Sequence, residues 1–194
     1  MDMFSGVGRR LDRTSGHWID IGQHSLNGHE RKVLFRNDGD GTFTDVAFVD
    51  GVDIDADGRG LSVFDYDRDG RVDLLLRNYR QPAELFHNTG GGGHWLALRL
   101  VGTRSNRDAV GARLRLETAR GWQTRQVSAG SGYLSGSSLI QHFGLGPETR
   151  AMELDVLWPS GERTVLRDLS ADRRYAIVEG AAAAVPLDGG GTTR

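Results

Sequence analysis

Asp65-Tyr66-Asp67-Arg68-Asp69-Gly70-Arg71-Val72-Asp73 places carboxylates at the first, third, fifth and ninth positions of a short loop. Glycine at the sixth position lets the backbone reverse without a Cβ clash, so the odd-numbered side chains can converge on one hard cation through oxygen. The carbonyl of Arg71, at position seven, would add a further ligand. An EF-hand would carry a glutamate at position twelve, where this chain has Leu76, and would be flanked by helices. Here Leu61, Val63 and Phe64 precede the loop and Val72, Leu74, Leu75 and Leu76 follow it, so the carboxylates fall in a turn between two apolar strands. The pattern predicts a calcium-stapled β-turn with Asp65, Asp67, Asp69, Arg71 and Asp73 as the metal site. Asp-Gly steps also make ordinary turns, but carboxylates at spacing two without a cation would repel one another.

Two further acidic runs read differently. Asp50, Asp53, Asp55, Asp57 and Gly58 lack a carboxylate at the ninth position, which counting from Asp53 is Leu61, so a solvated linker is expected there. Asn37-Asp38-Gly39-Asp40-Gly41 separates Val33-Leu34-Phe35 from Thr42-Phe43-Thr44 and predicts a hairpin connection.

Working outward, period-two alternation bounded by glycine-rich turns recurs along the chain, and the fold class expected is all-β. Leu85-Phe86 completes a small sheet with the strands around the acidic loop. Gly90-Gly91-Gly92-Gly93 imposes no conformation and suits a domain border. Beyond it, Leu96, Leu98 and Leu100 alternate with Ala97 and Arg99, and Leu114 and Leu116 with Arg113 and Arg115. Met152, Leu154, Val156 and Trp158 alternate with Glu153 and Asp155, and Tyr175 to Val178 supplies a closing strand. Each is expected to keep one wet face, and together they predict a compact β-sandwich or barrel. The expected organisation is an irregular segment over 1–30, a repeat region over 31–90, a β-domain over 94–180 and a disordered tail over 181–194.

With 194 residues the chain can bury about 70% of its unfolded surface. Net charge is -2 with both signs dispersed, which is not the one-sided basic stripe that phosphate backbones demand, so nucleic-acid binding is not expected. No apolar run approaches the roughly 20 residues of a membrane helix, so membrane insertion is not expected. There is no cysteine, which removes disulfides and thiolate chemistry. Met1 to Ser15 carries no apolar leader region, so the chain as written is expected in the cytoplasm, or secreted if a leader lies upstream.

Leu34-Phe35-Arg36-Asn37-Asp38-Gly39-Asp40-Gly41-Thr42-Phe43-Thr44-Asp45-Val46, followed by Gly58-Arg59-Gly60 and the aspartate loop, resembles the FG-GAP/VCBS repeat of integrin-type β-propellers. The motifs Ser105 to Ala112, Ser128 to Ser138, His142-Phe143-Gly144-Leu145-Gly146 and Trp158-Pro159-Ser160-Gly161 resemble the ASPIC/UnbV domain in order and spacing. The pairing is that of the cartilage acidic protein-like family. The resemblance implies calcium at Asp65, Asp67, Asp69 and Asp73, a partial propeller-type repeat, and no catalytic residue that can be carried over. A propeller needs about four to eight blades. The expectation is therefore a remnant, a minimal form or a fragment, or blades that assemble between subunits as a homo-oligomer.

Ser131, Ser135, Ser137 and Ser138 with His142 invite a nucleophile-and-base reading, but no Gly-x-Ser-x-Gly elbow is present. The glycine-rich loop is expected to satisfy its own backbone. His17, His24 and His29 fit no zinc spacing. Trp95, Trp122 and Trp158 are expected to be buried. Two functions follow as expectations. One is a calcium-binding, non-catalytic binding or scaffold module for a protein, glycan or small molecule. The other, on family neighbourhood, is an enzyme or accessory factor in enediyne-type polyketide biosynthesis, with a ligand pocket at Arg107, Asp108, Tyr133 and His142.

Overall fold

In the computed structural model, residues 30–187 are described, and the expectations for residues 1–29, including the three histidines, lie outside them. All regular structure among the described residues is strand, and no sheet closes into a barrel. The chain divides into two compact units, the first comprising residues up to Gly60 together with Leu75–Phe86, the second Leu61–Leu74 together with residues from His87 onward.

The second unit holds a β-sandwich. Strands β6 (His94–Val101), β9 (Gln141–Gly146), β12 (Arg173–Val178) and β13 (Val185–Pro186) form one sheet in the order β13-β12-β6-β9. Strands β7 (Arg113–Thr118), β8 (Gly121–Gln126), β10 (Arg150–Leu157) and β11 (Arg163–Ser170) form the other in the order β11-β10-β7-β8. All pairings are antiparallel except β12 with β6, which run parallel. Leu96, Leu98 and Leu100 of β6, Phe143 and Leu145 of β9 and Ile177 of β12 meet Leu114 and Leu116 of β7 and Leu154 and Val156 of β10 in one core. Each such side chain contributes about 1.5–3 kcal/mol by leaving water. Trp158 is 2% exposed and donates its indole N–H to Thr164 Oγ1 at 2.8 Å, whereas Trp122 is 43% exposed with Arg115 over its ring.

Alternation fails where β10 meets β11. Asp168 has φ +58°, in the left-handed region, and from there toward the end of β11 the inward set shifts from Thr164 and Leu166 to Leu169. On β10 the inward residues correspondingly shift to Ala151, and Met152 is exposed rather than in the core. The tail also departs from expectation. Val185 and Pro186 pair with Ala176 and Tyr175, Leu187 N–H donates to the Arg174 carbonyl, and Ala184 packs on the core, so residues 181–187 are ordered by a free sheet edge.

Glu179, at the end of β12, is 3% exposed. Its Oε2 accepts from the backbone N–H groups of Thr103, Arg104 and Ser105, and its Oε1 from the hydroxyls of Ser105 and Ser160. Burial alone would raise its pKa, but these donors hold it far below the usual carboxylate range. The same loop is closed by Asn106, which exchanges two hydrogen bonds with Val110.

In the first unit, β1 (Phe35–Asn37) and β2 (Phe43–Asp45) form the expected hairpin, with Gly39 and Gly41 at positive φ. Strands β3 (Gly58–Phe64), β4 (Asp73–Asn78) and β5 (Glu84–Phe86) neighbour one another in the order β3-β4-β5, and the division between units passes through β3 and β4 instead of the glycine run 90–93. The upstream acidic run is not a solvated linker. Val52, Ala56 and Asp57 are buried, Asp57 pairs with Arg59, Asp53 pairs with Arg31 at 2.5 Å, and Lys32 Nζ donates to the carbonyls of Glu30 and Ala56. Two of its carboxylates, Asp53 and Asp57, therefore stand beside arginines.

Candidate functional site

The loop between β3 and β4 folds on its own side chains. Asp65 Oδ2 accepts from Gly70 N–H at 3.1 Å, Asp67 Oδ1 from Asp69 N–H at 3.3 Å, and Asp69 Oδ1 from Arg71 N–H at 2.8 Å. These Asx-type bonds turn the chain tightly. Arg68 at φ +67° and Gly70 at φ +86° complete the reversal. Asp73 is fully buried, with Oδ2 accepting from Tyr66 N–H at 3.0 Å and Oδ1 from Asn88 N–H at 2.8 Å.

Carboxylate oxygens of Asp65, Asp67 and Asp73 consequently lie within 4.8 Å of one another. Asp65 Oδ1 is buried and has no hydrogen-bond partner. A bare carboxylate oxygen in that position lacks the donor that burial ordinarily demands, and a hard cation would supply what is missing. The donor set therefore fits calcium. Asp69 stands slightly apart, with Oδ2 against the Arg71 guanidinium.

His87 is the residue that sequence reasoning missed. Its Nε2 lies 3.2 Å from Asp67 Oδ2 and 3.8 Å from Asp69 Oδ2, which makes a second potential metal cluster with those two aspartates, and its ring meets Tyr66 edge-on at 5.2 Å. No local spacing marks His87, because it reaches the loop through the strands β4 and β5 that intervene in sequence.

Gly70 has a second requirement besides its φ. A Cβ built there would lie 1.9 Å from Trp95 Nε1, so the loop is seated directly on the Trp95 ring. Trp95 in turn stacks on His142, with centroids 6.0 Å apart and planes 14° from parallel, and His142 Nε2–H donates to the Gly70 carbonyl at 2.7 Å. Burial lowers the His142 pKa below its ordinary value, against the opposing effect of that hydrogen bond. The neutral ring with its proton on Nε2 is thus a structural clamp on the loop. The serine hydroxyls are likewise engaged: Ser131 donates to Ser137 at 3.2 Å, Ser137 accepts from Val63 N–H at 3.3 Å, and Ser138 accepts from Ile140 N–H at 3.1 Å.

The residues expected to line a pocket separate. His142 does line a cavity of about 340 Å³, but Arg107, Asp108 and Tyr133 do not. Arg107 and Asp108 are turned outward by the Asn106–Val110 loop closure, and Tyr133 is 71% exposed at the tip of the serine loop beside Leu134. The cavity instead lies over the outer row Arg174, Ala97 and His142, neighbours across β12, β6 and β9, and is roofed by Val63, Phe64 and Val72 of the segment carrying the acidic loop. This roof explains why Ala97, expected on a wet face, is only 4% exposed.

Residues 102–184 match the family model described as ASPIC and UnbV. Over 153 residues, 76% of the chain, the sequence is 32% identical to cartilage acidic protein 1 of Mus musculus and equally to that of Homo sapiens. It is 36% identical over 113 residues, 56% of the chain, to cartilage acidic protein 1 of Xenopus tropicalis. The chain spans 23% of the length of the mammalian relatives and 17% of the amphibian one. Together these similarities support the ASPIC/UnbV family.

Proposed function

We propose that the ASPIC/UnbV-type sandwich is the framework of a calcium-binding, non-catalytic module that presents loops to a protein, glycan or small-molecule partner. The observation that carries this reading is the buried, unpartnered Asp65 Oδ1 in a cluster with Asp67 and Asp73. Asp65, Asp67, Asp69 and Asp73, with the Arg71 carbonyl, are the proposed ligands, and His87 is a further donor at the same loop. Calcium there would offset the mutual repulsion of the carboxylates and stiffen the turn that rests on Trp95 and His142. Residues 31–90 are read as an FG-GAP/VCBS-like repeat, on the hairpin at 38–42 and the acidic loop. Tyr133 and Leu134, 71% and 81% exposed, favour a binding surface at the serine loop.

Thermal unfolding in calcium, in magnesium and in chelator tests the metal reading, with Asp67→Ala and Asp65→Asn alongside. A calcium-specific rise in Tm that both variants abolish is the expected outcome. Equal curves in calcium and chelator for the unaltered protein would reduce the loop to an acidic turn.

A second reading, a small-molecule role such as an enzyme or accessory factor in enediyne-type polyketide biosynthesis, is favoured by one observation, the cavity beside the loop. Its size is within the range of small-ligand sites.

A further inference from the structure

We infer that the cavity over β12, β6 and β9 takes an uncharged ring compound that carries a carbonyl and a hydroxyl group. This names the class of molecule that the small-molecule reading leaves open, and rests on that reading. All the lining residues belong to the second unit. Val63, Phe64, Val72 and Ile140 stand in the wall only half-buried and outside the sandwich core, and the buried Ala97 closes the floor. Apolar side chains gathered around an open space in this way let the apolar body of a guest leave water. The charged groups of the wall are already committed. Arg125 donates to the Thr124 carbonyl at 2.9 Å and lies 5.1 Å from the Phe143 ring centre, Arg174 holds an interaction of its own, and Asp65 belongs to the aspartate cluster of the loop. An ionic guest would leave water without an uncommitted counter-charge to meet it, so the guest is uncharged.

Three uncharged polar side chains in the lining set the groups on the guest. Ser137 and Ser138 each accept from a backbone N–H, of Val63 and Ile140 respectively, which leaves their hydroxyl protons to donate. A carbonyl oxygen answers them. His142 gives its Nε2–H to the Gly70 carbonyl, so Nδ1 carries the lone pair and accepts from a hydroxyl. Gly144 of β9 also lines this space, and a Cβ added to it would meet nothing within 4 Å, which makes it a position from which a larger side chain blocks the cavity.

The probe is 6-hydroxy-2-acetylnaphthalene, with 2-naphthol as the counterpart without the carbonyl and 6-hydroxy-2-naphthoate as the charged one, titrated by ligand-observed NMR against the full chain in calcium and in chelator. The expected result is binding of the ketone, about fivefold tighter than 2-naphthol, the worth of one uncharged hydrogen bond, and tighter than the acid. Joint replacement Ser137→Ala and Ser138→Ala should remove the fivefold advantage and leave the affinity for 2-naphthol unchanged, which a general loosening of the loop would not do. Gly144→Leu, and Ile140→Phe as a second blocking variant, should abolish binding of all three while Tm is kept. Acid bound as tightly as ketone, or ketone no tighter than 2-naphthol, with binding lost in the blocking variants, would overturn the assigned class while leaving a small-molecule site. Binding of none of the three, or binding that survives both blocking variants, would overturn the small-molecule reading as well. The calcium dependence of Tm is read separately, so failure of the metal reading does not imitate either result.

Discussion

In the run Asp53 to Gly58 the half-buried Asp53 and the buried Asp57 sit beside cations from the same unit, Arg31 against Asp53 and Arg59 against Asp57, with Lys32 tied to the backbone of Ala56. In the run Asp65 to Asp73 the carboxylates accept mainly from the loop's own backbone, and the buried Asp65 Oδ1, which has no donor, belongs to a cluster with Asp67 and Asp73, whereas Asp53 Oδ1, likewise buried without a donor, belongs to no such cluster among the described residues. Two segments of nearly the same composition are thus arranged differently, one with its carboxylates apart and beside cations and one with three carboxylates drawn together. Composition does not separate them. The difference is made by residues from elsewhere in the chain, Arg31 and Lys32 in one case and His87 and Asn88 in the other.

The contrast breaks most severely at the glycines. Gly70→Ala should cost roughly 3 kcal/mol or more, since it forces both a positive φ and a collision with the rigid Trp95 ring. Gly58→Ala, where the added Cβ meets the end of the Lys32 side chain and touches Leu76 Cδ1 at 3.4 Å, should cost about 1 kcal/mol. Urea denaturation midpoints of the two variants give the comparison directly, and equal losses would mean that the Trp95 seat is not rigid.

Calcium sharpens it next. At a hundredfold excess over Kd, calcium should add about 2.7 kcal/mol to the stability of the unit holding Asp65 to Asp73. Asp67→Ala should remove the gain, and Asp55→Ala in the other run should preserve it. Calorimetry in calcium and in chelator distinguishes these outcomes, and a gain that disappears with Asp55→Ala would place the ion in the wrong run.

The ion pairs can be probed in the opposite sense. Arg59→Gln should lower stability by about 1–3 kcal/mol by leaving Asp57 buried without its cation, and by the same amount whether or not calcium is present. A loss that calcium repairs would show that the first run also takes the metal.

The smallest effect in the neutral range concerns acid. Glu179 is a buried carboxylate with a full set of donors, and its lowered pKa means that the unfolded chain binds the proton more readily than the folded one. Its contribution is complete above pH about 4.5, the ordinary glutamate value, and declines as pH falls toward the depressed folded value. Tm should therefore be flat between pH 7 and 5 for this group and fall below that, and Glu179→Gln should show a shallower acid slope than the unaltered chain.

Much of the fold is legible in the sequence because the leucines of β6 and β7 alternate without interruption and their turns carry glycine. The aspartate loop is legible because its ligand spacing is local. What escapes is set by distant partners. Met152 fits the alternation, and only the left-handed Asp168 on the adjacent strand turns it outward. Ala97 looks like the wet side of a strand, and is covered by a segment that precedes the glycine run. Val185 and Pro186 look like tail composition, yet β12 offers them an unpaired edge. Glu179 lies in no motif, since its five donors come from two loops far away in sequence. His87 joins the acidic cluster for the same reason.

The parallel pairing of β12 with β6 has a consequence for the order of events during synthesis. Leu96 and Ala97 leave the ribosome long before Arg173 and Arg174, which flank them in the finished sheet. Closing so long a stretch of chain carries its entropic cost before any contact compensates for it, so this sheet forms late and slowly. Until β12 arrives, β6 is a nascent edge and Trp95 lacks its completed surroundings. The aspartate turn, though made first, gains its final seat only when nearly the whole second unit has been translated.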